Sequence, residues 1–148
     1  MLFVLNRIGT EYNLSNNYNG NTMNIKSDEI KVYYNSACPV CNAGISAQKD
    51  KMSACAIQWV DVNADSKAVN EISSDLEFVR ERLHVLDGNG NLKIGMEAFQ
   101  AIWQHTSNER WKAKIISLPF IKPLLNAAYN IFAKYLYKWN LKKGHWKK

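Results

Sequence analysis

Ile30-Lys31-Val32-Tyr33-Tyr34-Asn35-Ser36-Ala37-Cys38-Pro39-Val40-Cys41 is the stretch that decides the fold. Ile30–Tyr34 is rich in β-branched and aromatic residues and reads as a buried strand. Asn35-Ser36-Ala37 supplies turn chemistry. From Cys38 to about Met52 the chain reads as a helix, with Pro39 in the first turn, where its missing N–H removes no hydrogen bond. Gly44 weakens that helix. A strand that delivers two cysteines onto the start of a helix is the layout of a dithiol redox site. Helix N-termini carry unsatisfied N–H groups and partial positive charge, which favour thiolate over thiol. The i to i+3 spacing puts the second sulfur within reach of the first, so a mixed disulfide can be resolved internally.

Outward from this stretch, Ile57–Val62 reads as a second strand. Val69, Ile72, Leu76, Val79 and Leu83 recur with 3,4,3,4 spacing, which predicts a helix from about Ser66, with Ser73-Ser74 able to break it in two. His84–Leu86, Asp87-Gly88-Asn89-Gly90 and Asn91–Ile94 form the clearest hairpin signal in the chain. Ala98, Phe99, Ile102 and Trp103 follow at helical spacing. The order is βαβ, then ββα, which predicts an α/β fold with a central sheet flanked by helices.

Residues 109–148 read as a C-terminal helical extension packed on the same domain, residues 25–108 as the domain itself, and residues 1–24 as a weakly structured extension. Asn13–Thr22 has no apolar period, and Met23 is an alternative start. In the extension, Asn126, Asn130, Lys134 and Lys138 form one narrow polar stripe, and apolar residues fill the rest of the helix. So broad an apolar surface must be covered, by the sheet domain or else by a partner subunit or a membrane surface.

The 148 residues are 47% apolar and include five tryptophans, which predicts one folded domain with the tryptophans as packing residues. No run of about 18 apolar residues exists. Met1–Leu5 is too short for a signal-peptide core, and three cysteines suit a reducing compartment, so the expected location is cytoplasmic. Charge is uneven: residues 109–148 carry a net +9 and residues 1–108 a net −3. A basic tail suits an anionic partner surface.

In this frame Cys38, nearest the helix N-terminus and expected to face solvent, is the nucleophile, and Cys41, one turn in, is the resolving thiol. Asp61, at the end of the second strand, is the candidate proton acceptor; a strand-end or capping carboxylate is the plainer reading. Asn35 can hydrogen-bond in the loop but cannot exchange a proton. Pro39-Val40 carries no charge to drive the thiol pKa to an extreme, which predicts reducing or exchange chemistry rather than strong oxidation. A zinc site would need two further ligands from Cys55, His84, His105 and His145, which show no paired spacing. Cys55 reads as a buried structural thiol, and the three histidines as lying on or near the surface. No phosphate-binding glycine loop and no serine nucleophile elbow is present.

The order of elements resembles the thioredoxin-like fold. More specifically, the chain resembles the DCC family of thiol-disulfide oxidoreductases, in which a strand is followed by Asp-x-x-Cys-x-x-Cys; here that reads Asn35-x-x-Cys38-x-x-Cys41. The family's hairpin and the glycine before its Ala-Phe helix resemble Leu86-Asp87-Gly88 through Ile94-Gly95-Met96-Glu97-Ala98-Phe99. Its proline-punctuated C-terminal helices resemble Leu118-Pro119 through Tyr137. Two positions depart from the pattern. The signature Asp is Asn35, and Arg80-Glu81-Arg82-Leu83-His84 has no proline where thioredoxins place one before the third strand. The resemblance implies a Cys38/Cys41 dithiol that reduces or exchanges disulfides of a protein or small thiol, without a bound cofactor, and is recycled by a cytosolic reductant. No nucleic-acid partner is expected, and the basic tail allows a weak contact with an anionic membrane surface. The alternative is a non-catalytic module of the same fold that binds a protein or membrane through that tail.

Overall fold

The computed structural model describes residues 29–52, 57–73 and 75–146. The expected N-terminal extension, Met23 and Cys55 lie outside the described residues. Strand β1 (Ile30–Tyr34) organises the molecule by alternating its side chains. Ile30 and Val32 face one side, with Ile45 of helix α1 (Pro39–Lys49) and Ala98, Ala101 and Ile102 of helix α3 (Met96–Gln104). Tyr33 faces the other, with Val62, Val69 and Val79. Lys31 is buried as well, and its ammonium meets Glu71 at 2.7 Å. Tyr33 donates to the same carboxylate at 2.5 Å. A lysine taken out of water needs such a partner.

Strand β2 (Ile57–Asp61) pairs parallel with β1; β3 (His84–Leu86) pairs antiparallel on its other side, and β4 (Leu92–Ile94) closes the hairpin. The sheet order is β2-β1-β3-β4. This is the mixed sheet with flanking helices that βαβ followed by ββα implies.

The 3,4 spacing after β2 places its residues inward but does not make one helix. Ser66–Glu71 is a 3-10 helix, and α2 runs over Leu76–Glu81. Two aspartates start two pieces: Asp65 accepts from the Lys67 N–H, and Asp75 accepts from those of Glu77 and Phe78. Val79 then enters one core cluster and Leu83 the other.

Helices α4 (Arg110–Ile116) and α5 (Ile121–Lys143) complete the chain, with Pro123 accommodated in the first turn of α5. Glu109 ties α4 to α1, accepting from Lys112, Lys51 and Gln48 at 2.5, 2.9 and 2.8 Å. Burial opposes its ionisation, yet these three donors hold its carboxyl down at about 2. Helix α5 lies against α2, α3 and α4. Its Tyr137 donates to Glu77 at 2.5 Å, and its Tyr129 ring packs on Phe99. Gly95, at φ +65°, is where this contact is closest: a Cβ there would sit 2.9 Å from the Tyr129 ring.

Three expectations are corrected. His84 is fully buried rather than near the surface, because β3 lies inside the sheet between β1 and β4. Trp111 and Trp139 stand in solvent rather than in the core. The apolar surface of α5 is only partly covered: Leu124 is 69% exposed, Ile131 61% and Tyr135 74%.

Candidate active site

The turn that carries β1 into α1 is built by two carbonyl-bearing side chains. Asn35 accepts the Ala37 N–H at 3.0 Å through its side-chain oxygen, while its backbone carbonyl accepts the Cys38 N–H at 3.3 Å. Asp61, opposite Tyr34 in the β1–β2 register, accepts the Ser36 and Asn63 N–H groups at 3.1 and 3.0 Å. The turn needs only one acceptor from residue 35, so the amide of Asn35 serves where the family pattern has a carboxylate.

Partial burial pushes the Asp61 carboxyl up, but the Ser36 hydroxyl and the N–H groups of Ser36, Asn63 and Ala64 outweigh it and hold the group below the usual carboxylate range. A carboxylate so stabilised is a poor proton acceptor at neutral pH. Its hydrogen bonds go to the turn rather than to a sulfur.

Cys38 is the N-cap of α1, with extended backbone at φ −83° and ψ 110°, and Pro39 occupies the first helical position. An N-cap side chain folds back over the first turn to take the N–H of the third helical residue. Here that residue is Cys41, whose N–H donates to Cys38 Sγ at 3.2 Å. Cys38 and Cys41 are joined as a disulfide, with Cα atoms 5.2 Å apart. The expected exposure of Cys38 is not found: it is completely buried, whereas Cys41 is half-buried.

Cys41 lies on the wall of a cavity of about 250 Å³. Leu83, Phe99, Phe132 and Leu136 make much of the wall apolar, and Asn35 and Arg82 bring polar groups to it. The Asn35 Nδ2 and Arg82 Nε atoms are buried and have no hydrogen-bond partner. Leu83, at the same wall, has its N–H bound to the Tyr129 hydroxyl at 3.1 Å. The C-terminal helix thus forms one side of the space in front of the disulfide.

The structure brings Asn35, Cys38, Pro39 and Cys41 together, with Asp61 one layer behind the turn. Sequence reading missed Arg82, Tyr129 and Phe132, which arrive from the segment between α2 and β3 and from α5. Arg80, Glu81 and Arg82 all lie between the inward Val79 and Leu83, so the sequence did not single out Arg82. His84 sits behind this wall, its Nδ1 at 2.8 Å from the Arg82 carbonyl, and burial pushes its pKa down to about 4. Among the described residues no three His, Cys, Asp or Glu side chains gather where they could hold a metal.

Comparison with known proteins agrees with this geometry. An uncharacterised chloroplastic protein of Arabidopsis thaliana is 24% identical over 109 residues, which is 72% of this chain and 50% of that protein. The chain therefore spans about half the length of the curated relative it matches. No solved structure matches the chain. The family model described as DCC1-like thiol-disulfide oxidoreductase matches residues 32–142, and the chain belongs to that family.

Proposed function

We propose that this protein exchanges dithiol for disulfide, cycling Cys38 and Cys41 between two thiols and the disulfide seen here, and so reduces or exchanges disulfides of a protein or small thiol. The observation that carries this reading is a disulfide closed across a helix N-terminus and opening on one side to a cavity. The N-cap position and the Cys41 N–H favour a thiolate at Cys38, which thiol exchange requires. A reducing compartment such as the cytoplasm, with a thiol reductant to recycle the pair, suits this chemistry. The deciding experiment is thiol trapping in graded glutathione buffers. A single two-electron transition between about −180 and −300 mV fits reducing or exchange chemistry. A pair that forms no disulfide across the series refutes the reading.

A second reading rests on α4 and α5. Phe120 is 89% exposed, and Leu124, Ile131 and Tyr135 are also exposed, on helices that carry Lys114, Lys122, Lys134 and Lys138. Among the described residues no single helix is long and apolar enough to cross a membrane, and α4 and α5 meet at 99°. Apolar side chains with lysines nearby suit a helix lying on an anionic bilayer. Sedimentation with anionic vesicles at low and physiological salt tests this, and no binding at either removes it.

A further inference from the structure

We propose that the exposed face of α5 and the mouth of the disulfide cavity form one docking surface for an anionic bilayer, and that the dithiol acts on disulfides held at that bilayer's interface. This rests on the exchange reading and joins it to the membrane reading by fixing which way the docked protein faces.

The surface is continuous along α5. Successive residues of a helix step about 100° around its axis. Leu124 and Tyr135 lie within about 40° of Ile131, so the three exposed side chains form one apolar row. Phe132 lies about 100° from Ile131, on the side of Tyr135. It is 54% exposed and also lines the cavity, and Leu136, beyond it, lines the cavity with Cys41. Val40, the neighbour of Cys41, is a further lining residue that reaches solvent, at 48%. Apolar side chains of α5 thus lead from the exposed row, through Phe132, to the wall beside the disulfide. The charged lining residues Arg80, Glu81 and Arg82 come from α2 and the residue after it.

The opposite edge of the row is cationic. Lys134 and Lys138 are exposed and lie about 60° and 20° from Ile131, on the side away from Phe132. Helix α5 has no Asp or Glu, and the one acid from 109 to 148, Glu109, is buried and paired with Lys112 and Lys51. A second copy would set one net +9 tail against another, which disfavours self-association through this face. A nucleic acid would meet the lysines and leave the apolar row in water. An anionic bilayer suits both: the apolar row enters the headgroup boundary while the lysines meet lipid phosphate and carboxylate. Tyr135 and Trp139, both exposed, have the amphipathic rings that settle at such a boundary.

A helix lying in the interface with this face down brings the cavity mouth to the headgroup level. Disulfides held there meet the pair without leaving the membrane. In the reducing direction the substrate S–S bond breaks and the Cys38–Cys41 bond forms. Two electrons pass from the dithiol to the substrate, and the two thiol protons reach the departing thiolates by way of water. A soluble thiol reductant restores the dithiol.

The test offers reduced full-length protein one disulfide in two settings. The first is a pyridyl disulfide on the headgroup amine of phosphatidylethanolamine, in vesicles; the second is the same pyridyl disulfide on a water-soluble amide. Released pyridine-2-thione gives the rate, and sedimentation gives vesicle binding. Wild type should react at least tenfold faster with the lipid probe in vesicles of phosphatidylcholine and phosphatidylserine than with the soluble probe. That advantage should fall several-fold in vesicles of phosphatidylcholine alone and at raised salt. Ile131→Ser/Tyr135→Ser and Lys134→Glu/Lys138→Glu should each lose most of the advantage and keep the wild-type rate on the soluble probe. Equal wild-type rates on the two probes, or an advantage that both variants keep, overturn the proposal. Vesicle binding with slower reaction on the lipid probe also overturns it, because the dithiol then faces away from the bilayer. Reaction with the soluble probe and no vesicle binding overturns it while the exchange reading stands. No reaction with either probe overturns the exchange reading as well.

Discussion

In the turn between β1 and α1, the side chains of Asn35, Asp61 and Cys38 each accept a backbone N–H, and the disulfide joins what they position. Along α4 and α5, Phe120, Leu124 and Tyr135 stand in solvent, and Ala133 and Asn140 are the buried residues of a 23-residue helix. The turn is specified by directional bonds, two of them between neighbours in sequence and one reaching it from Asp61 at the end of β2. The tail is held at a few long-range points: Tyr129 to Leu83, Tyr137 to Glu77, and Glu109 to Lys51 and Gln48. Directional bonds fix geometry for chemistry, and an apolar face left uncovered suits contact with something outside the chain. Changes in the two regions should therefore be felt differently.

The largest expected effect is chemical and local to the turn. Replacing both Cys38 and Cys41 by serine should reduce disulfide exchange to the background rate while the reduced protein keeps its helical circular dichroism. Residual exchange well above background would place the chemistry elsewhere and dissolve the distinction between the two regions.

Next is His84, which backs the cavity wall. Burial lowers its pKa from 6.5 to about 4. Between these values the unfolded chain binds a proton that the folded chain does not, so folding stability falls as pH falls through this window. The loss is present below about pH 6.5, grows to about 2 kcal/mol by pH 5, and levels near 3 kcal/mol below pH 4. Urea unfolding of wild type and His84→Gln at pH 7, 6 and 5 measures it; the variant should lose most of the slope. An unchanged slope would mean that the imidazole is free to protonate in the folded protein.

Two glycines sharpen the comparison further. Gly95→Ala meets both a positive φ and the Tyr129 ring, and should destabilise by roughly 1–3 kcal/mol. Gly44 lies in α1 with nothing within 4 Å of an added Cβ, so Gly44→Ala should be neutral or stabilise by up to about 1 kcal/mol. Denaturant midpoints with unchanged slopes give both values.

Local signals made the fold legible: strand composition, the cysteine spacing, the Asp-Gly-Asn-Gly hairpin and the 3,4 apolar period each act within a few residues. The capping role of Cys38 was within reach of the same logic. Pro39 at the first helical position makes Cys38 the N-cap, and an N-cap side chain turns back over its helix. The burial of His84 was not, because it follows from β3 lying between two other strands, and strand order is set by pairings distant in sequence. The cavity was hidden for a similar reason. Its walls come from β1, α1, the segment before β3, α3 and α5, and no single stretch carries its outline.

The smallest effect on stability should come from the exposed tail. Phe120 and Ile131 are 89% and 61% exposed, so converting both to serine removes little buried area. Exposed substitutions of this kind usually lie within about 0.5 kcal/mol each. Unfolding free energy should stay near wild type, and so should exchange with small disulfides, because neither residue lines the cavity. Under the membrane-contact proposal, binding to anionic vesicles should weaken, because each apolar side chain lost would take with it interfacial burial worth about 25 cal/mol per Å². A large loss of folding stability would instead mean that the outer face of α5 is structural, covered within this chain, and the contrast between the turn and the tail would then fail.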